Sequence, residues 1–172
     1  MGLLGSIEMP IKSKAAKDLF DEFLLNRGIN KAFYSNLGEE SYGFRMVDTN
    51  DRRSDTPRES LKHIITVSRN YIHGCEEGEI KFDETYDDLE RSETKEDLLA
   101  LLDENSDSFE AFLSERDIDT KSVKVPWMDD PILAVEALYG INSHEILHQG
   151  WNLAIMDHLN MPRFKELKEM WG

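Results

Sequence analysis

The chain has 172 residues, of which 40% are hydrophobic and 32% are charged, and its formal net charge is −15 at neutral pH. This length and composition fit a single domain spanning residues 1–172, with residues 1–12 as an N-terminal extension. A surface this acidic repels phosphate backbones and anionic lipids, so we expect no nucleic-acid or membrane partner. The one cysteine, Cys75, excludes an intrachain disulfide, and the sequence predicts a cytoplasmic protein.

The first predicted helix spans residues 13–37. Its apolar residues recur at helical spacing and include adjacent pairs such as Leu19 and Phe20, so its apolar face is wider than one seam. Gly28 interrupts the pattern, which leaves open either a continuous helix or a break at that point. Residues 38–55 are polar and predict a long loop.

The second predicted helix begins at the sequence Thr56-Pro57-Arg58-Glu59. Threonine is the expected N-cap, proline takes the first helical position, and the glutamate completes a capping box. We expect Gly74 to close this helix. Residues 76–90 are dense in Asp and Glu and predict a solvated loop.

The third predicted helix begins near Thr94, and the alternating residues 121–127 predict a strand or the arm of a hairpin. Asp130-Pro131 predicts the start of the fourth helix, which should end near Asn160, and a short helix over residues 163–170 follows. Four long amphipathic helices predict an all-α four-helix bundle with long loops, a short β-hairpin arm and a short C-terminal helix.

Two histidines, His144 and His148, lie four residues apart in the apolar stripe of the fourth helix. This spacing corresponds to a rise of about 6 Å and a rotation of about 40°, so both imidazoles point the same way. They are either ligands of one metal ion or core residues that each need a hydrogen-bond partner. His63, at the edge of the second helix's apolar arc, would complete three ligands and leave one position open, as in catalytic sites. Residues that lie away from the stripe are Asn142, Glu145 and Gln149.

The same segment reads His-Glu-x-x-His, the zinc-protease pattern, in which Glu145 would be the general base. Zinc proteases with this pattern also contain a mixed sheet, which this sequence does not predict, so we disfavour that interpretation. His73 and His158 fall at expected helix ends, and we interpret them as surface or dipole-stabilised residues.

Three segments carry a resemblance to a known family: TPRESLKHI (residues 56–64), HEILHQG (residues 144–150) and LNMP (residues 159–162). The chain resembles the DinB/YfiT family of metal-binding four-helix bundles over about residues 19–164. The resemblance implies that a divalent metal ion is held by His63, His144 and His148. Imidazole ligands suit Zn, Ni or Fe alike, so the sequence does not determine which metal is bound. The sequence departs from the family pattern at Leu147, where histidine is frequent, and at Trp151, where glutamine is frequent.

The resemblance also implies a function, a metal-dependent thiol S-transferase in which an activated low-molecular-weight thiol attacks a small electrophile. A hydrolase with the same ligands is the close variant, and a non-catalytic, metal-stabilised bundle that binds a small ligand or a protein partner is the alternative. Tyr71, Glu145 and Trp151 are the candidate residues around the open side of the metal. We expect a homodimer, because the wide apolar face of the first helix would otherwise stay exposed. A role in stress response is implied by the resemblance alone.

Overall fold

The structure, a computed structural model, describes residues 10–171. Most of the predicted N-terminal extension therefore lies outside the described residues, and residues 10–12 are non-helical. Within the described range, no helix combines the length and apolarity needed to cross a membrane. The elements, in chain order, are α1 (Lys14–Asn36), a 3-10 helix (Glu39–Ser41), α2 (Pro57–Glu77), α3 (Asp87–Arg91), α4 (Lys95–Glu115), β1 (Ser122–Val123), β2 (Ile132–Leu133), α5 (Ala134–His158) and α6 (Lys165–Trp171).

The four long helices α1, α2, α4 and α5 form a bundle in which α1 and α2 each pack against both α4 and α5. Two clusters of buried apolar side chains fill it, one around Phe23 and Phe109 and the other around Phe33 and Leu61. Strands β1 and β2 pair antiparallel beside the start of α5. The predicted bundle with a hairpin arm and a short C-terminal helix is confirmed, and α5 lies between α1 and α2.

Side-chain caps fix where α1 and α2 begin. The Ser13 hydroxyl accepts a hydrogen bond from the Ala16 amide at 3.1 Å, and α1 then continues through Gly28 without a break. At α2 the predicted capping box is confirmed. The Glu59 amide donates to the Thr56 hydroxyl at 3.1 Å, and the Thr56 amide donates to the Glu59 carboxylate at 2.7 Å. These bonds set the position of every later residue of α2, including His63.

Helix α2 continues beyond Gly74, so the predicted end was wrong. The helix closes at Gly78, whose φ is 88° and whose amide donates to the Gly74 carbonyl at 2.8 Å. Gly74 is glycine for a different reason: a Cβ there would lie 2.5 Å from the Cα of Ile80. The glycine lets the following segment pass directly against the helix.

The acidic segment 76–90 is only in part the solvated loop that was predicted. Ile80 and Leu89 are 2% and 3% exposed, and the segment includes the first four residues of α3. The Ile80 amide donates to the Lys124 carbonyl at 2.9 Å, which ties the segment to the residues after β1. Buried apolar side chains and backbone hydrogen bonds therefore anchor a segment whose composition is largely acidic.

Helix α5 begins later than predicted, because Asp130-Pro131 precedes β2 rather than the helix. The two residues after Pro131 are extended and pair with β1, and the Ala134 amide then donates to the Lys121 carbonyl at 2.8 Å. The Glu136 carboxylate accepts from the Leu133 amide at 3.2 Å and so caps the first turn. The helix ends at His158, close to the predicted end.

Candidate metal centre

The packing of α2 against α5 brings His63, His144 and His148 together. Each histidine offers one ring nitrogen as a ligand atom, and these three nitrogens all lie within 4.8 Å of one another. The ring centroids of His144 and His148 are 4.5 Å apart, and that of His63 lies 4.9 Å and 5.5 Å from them, respectively. The Nε2 atoms of His144 and His148 approach to 3.3 Å. Three imidazoles this close could hold a metal ion.

The protonation state of His144 and His148 at neutral pH favours binding of a metal ion. Burial, and after it the neighbouring His144 and His63, together lower the pKa of His148 to about 3. Burial, and after it His63 and Arg27, together lower the pKa of His144 to about 4. At neutral pH both rings are uncharged and keep a nitrogen lone pair, which is the form that binds a divalent ion. The donor set therefore fits such an ion.

Two residues on other helices, Ser60 on α2 and Tyr34 on α1, orient the His148 ring. Its Nδ1 lies 2.8 Å from the hydroxyl of Ser60, and the Tyr34 hydroxyl donates to that same oxygen at 3.0 Å. Because the Ser60 oxygen can accept two bonds, His148 can donate through Nδ1 and leave the Nε2 lone pair facing His144. Metal-binding histidines are usually fixed by such a bond at the other ring nitrogen. Sequence reasoning missed both residues, although Ser60 lies one turn before His63.

A cavity of about 550 Å³ opens beside the histidines. Trp151, one of the predicted pocket residues, lies in its wall, and Leu147 there is 68% exposed. A small molecule can therefore reach the imidazoles from solvent. The residues that line the cavity are Met46, Asp55, Ser60, His63, His144, Leu147, His148, Gly150, Trp151 and Ala154.

Glu145 does not line this cavity, although it is adjacent to His144. It is 1% exposed and forms a buried ion pair in which Arg27 Nε donates to Oε1 at 2.8 Å. Its other oxygen accepts from Asn30 Nδ2 at 2.6 Å. The carboxylate is thus committed to contacts with α1, which leaves it unsuited to the general-base role of a zinc protease.

Helix α5 has a second buried face, and this face is polar. Asn142 and Gln149, which lie away from the predicted apolar stripe, are 2% and 1% exposed. Gln149 Nε2 donates to Asn26 Oδ1 at 3.1 Å, and Asn152 Nδ2 donates to Asn30 Oδ1 at 2.9 Å. A signal was present in the sequence, because polar residues of α5 recur three or four apart and would share one helix face. These residues are Asn142, Glu145, Gln149 and Asn152.

The remaining residues singled out from the sequence lie elsewhere. Tyr71 packs against Phe82, with ring centroids 5.3 Å apart, and does not line the histidine cavity. His73 Nδ1 lies 2.7 Å from a Glu84 carboxylate oxygen on the surface. The ring of His158 lies 5.1 Å from that of Phe44. The structure therefore separates His73 and His158 from the three clustered histidines.

The fold is similar to that of a DinB-like protein, YjoA from Bacillus subtilis, known from a crystal structure. The TM-score is 0.66 at 18% sequence identity, and the match covers 86% of this chain and 96% of that chain. At this identity the likeness shows the fold alone, which is a DinB-like helical bundle. No protein-family model and no curated protein sequence matches the chain.

Proposed function

We propose that this protein is a metal-dependent enzyme of the thiol S-transferase type, with a divalent ion held by His63, His144 and His148. The observation that carries the proposal is the position of the three imidazoles in the wall of an open cavity of about 550 Å³. Histidine nitrogens suit zinc, nickel and iron. A small substrate in the cavity would lie against the ligands.

A purely structural metal site is a poorer fit to this arrangement. Structural zinc sites are closed by four protein ligands, whereas catalytic sites have three and keep one position open. Over residues 10–171 the group contains three ligand residues, with no fourth His, Cys, Asp or Glu. His63 is exposed, so the group is also open to solvent on its side.

The chemistry would divide between the ion and the chain. A bound divalent ion would supply Lewis acidity, which lowers the pKa of a thiol or of water. The chain would keep His148 neutral and oriented through Ser60, and its apolar wall around Trp151 would hold the substrate's hydrocarbon part. The thiol sulfur would form a C–S bond to an electrophilic carbon as that carbon's bond to its leaving group breaks, and the thiol proton would pass to solvent.

The test is a thiol-conjugation assay with protein purified without a metal-affinity tag. Cysteamine and monochlorobimane would be incubated with metal-free protein and with protein loaded with Zn²⁺, Ni²⁺ or Fe²⁺, and formation of the fluorescent thioether followed. We expect one metal to give a rate above the metal-free protein, and His144→Ala to abolish the gain. Metal binding without any thioether formation would instead favour the non-catalytic bundle. Ester hydrolysis by the loaded protein without thiol would favour the hydrolase variant.

A further inference from the structure

The histidine cavity has one carboxylate in its wall. Asp55 is the only Asp or Glu among the described residues that line it, and no Lys or Arg lines it. Much of the remaining wall is apolar, with Met46 and Trp151 on it. The protein wall of the cavity therefore combines apolar side chains with one carboxylate.

The backbone around Asp55 is fixed on both sides. Before it, the Ser54 amide donates to the Val47 carbonyl at 2.8 Å, and the Ser54 carbonyl accepts a hydrogen bond from the Arg45 guanidinium. The following Thr56 amide donates to the Glu59 carboxylate at 2.7 Å. The backbone of Asp55 is thus held between two anchored residues, so little backbone entropy would be lost when its carboxylate binds a ligand.

The Asp55 carboxylate has no partner among the described residues. It makes no ion pair and accepts no hydrogen bond there, although the N-cap of α2, Thr56, follows it directly. The nearby guanidinium of Arg45 is bound to Glu59 at 2.6 Å. The pKa of Arg45 is raised by its hydrogen bond to Glu59, and the charges of Asp48 and Asp55 add to this. Asp48 is in turn paired with Arg53 at 2.9 Å, so neither guanidinium is paired with Asp55, and no direct contact within the described part of the chain compensates its negative charge.

We propose that Asp55 selects the substrate, and that the cavity takes a small molecule with an apolar body and an ammonium group. The inference rests on the proposed function only in treating this cavity as the substrate site. In a thiol S-transferase, the matching cosubstrate is an aminothiol whose sulfur lies toward the histidines and whose ammonium lies toward Asp55. The net charge of −15 acts in the same direction, because it attracts cations and repels anions.

The test compares two probes of equal size, phenethylamine and 2-phenylethanol, which differ by one positive charge at neutral pH. Each would be titrated at pH 7.5 into the metal-free full chain, with the indole N–H signal of Trp151 followed by NMR and assigned with Trp151→Phe. The signals of Trp127 and Trp171 serve as internal references, since neither lines the cavity. Because no metal is present, this result stands apart from the outcome of the conjugation assay.

We expect phenethylamine to bind about three- to fivefold more tightly than 2-phenylethanol, the range expected for one ion pair in a solvent-exposed setting. Asp55→Asn should equalise the two probes, while Asp51→Asn, at an exposed position outside the cavity wall, should keep the wild-type ratio. Equal affinities in the wild type, a ratio unchanged in Asp55→Asn, or no shift of the Trp151 signal with either probe would each overturn the proposal.

Discussion

His148 illustrates how burial prepares a single residue for metal binding. The ring is 8% exposed and its pKa is lowered to about 3, so it resists protonation well below neutral pH. The unfolded chain, in which a histidine titrates near 6.5, binds more protons between about pH 3 and pH 6.5. Stability of the metal-free protein must therefore fall as the pH is lowered through that window.

The pH dependence can be assigned to this residue by substitution. From pH 6.5 to pH 5 this histidine should lower the free energy of unfolding by about 1.7 kcal/mol, because the slope approaches about 1.4 kcal/mol per pH unit only well below pH 6.5. His148→Gln should therefore lose less stability than the wild type over the same interval. Urea unfolding of metal-free protein at both pH values measures this difference, and identical losses in the two proteins would contradict the assignment.

Ser60 should matter for the metal although its side chain is not expected to bind it. Its hydroxyl lies 2.8 Å from His148 Nδ1 and fixes that ring. Loss of such a partner typically weakens metal binding about 10- to 100-fold. We expect this loss in Ser60→Ala, measured by competition with a chromophoric chelator. Ser68→Ala, also on α2 and buried but outside the histidine cavity, is the control and should keep wild-type affinity.

At the residue scale, the sequence was informative where the signal was local. The pair His144 and His148 followed from helical spacing, His63 on another predicted helix was a candidate third ligand, and the family resemblance implied all three together. Tyr34 could not be found in this way, because the bundle brings it near the histidines from another helix. Asp55 lies shortly before His63, but in the loop ahead of α2, where helical spacing makes no prediction. Local spacing also suggested Glu145 as a pocket residue, whereas its buried partner Arg27 belongs to another helix.

At the element scale, α5 carries two different buried faces. One bears His144 and His148 toward the cavity, and the other bears Glu145 toward Arg27 of α1. A single apolar stripe was expected, because the sequence did not reveal that α5 lies between two helices. The buried ion pair fixes how α5 is rotated against α1, since any other rotation would leave a charge unpaired.

The two glycines Gly74 and Gly28 give a matched test of helix packing. Both lie inside long helices, but a Cβ at Gly74 would lie 2.5 Å from the Ile80 backbone, whereas one at Gly28 would meet nothing within 4 Å. Gly74→Ala should destabilise the protein by about 1–3 kcal/mol through overpacking. Gly28→Ala should stabilise it by up to about 1 kcal/mol through helix propensity. Thermal unfolding compares them, and equal effects would contradict this view of α2.

The misplaced helix ends have one physical explanation. The sequence indicated that α2 ends at Gly74 and that α5 begins at Asp130-Pro131, because glycine is common at helix C-termini and proline at helix N-termini. Tertiary contacts override both local signals. Ile80 packs directly against Gly74 inside the helix, and the residues after Pro131 pair with β1 as a strand. The number, order and approximate extent of the four long helices were predictable from periodicity, whereas the short α3 was not, and exact boundaries depended on neighbours that are distant in sequence.

At the scale of the whole molecule, we predict a homodimer through α1. Leu24 and Leu25 on this helix are 45% and 54% exposed, an apolar surface that a second copy would cover. At physiological ionic strength charges are screened beyond about 8 Å, so the net charge of −15 should not prevent association. Light scattering should give twice the chain mass of 19.9 kDa.

Substitution would locate that interface. The double variant Leu24→Glu/Leu25→Glu should be monomeric, while Met128→Glu, at a residue 52% exposed in the loop before β2, should remain dimeric. A wild-type mass of 19.9 kDa at micromolar concentration would refute the dimer.

The central claim is that His63, His144 and His148 hold one divalent metal ion. It is tested most directly by elemental analysis of tag-free protein, wild type and variants, after incubation with Zn²⁺ and removal of excess metal. We predict about one ion per chain in the wild type, in His73→Ala and in His158→Ala, and a sharp loss in His63→Ala, His144→Ala and His148→Ala. Full occupancy in His148→Ala would contradict the assignment.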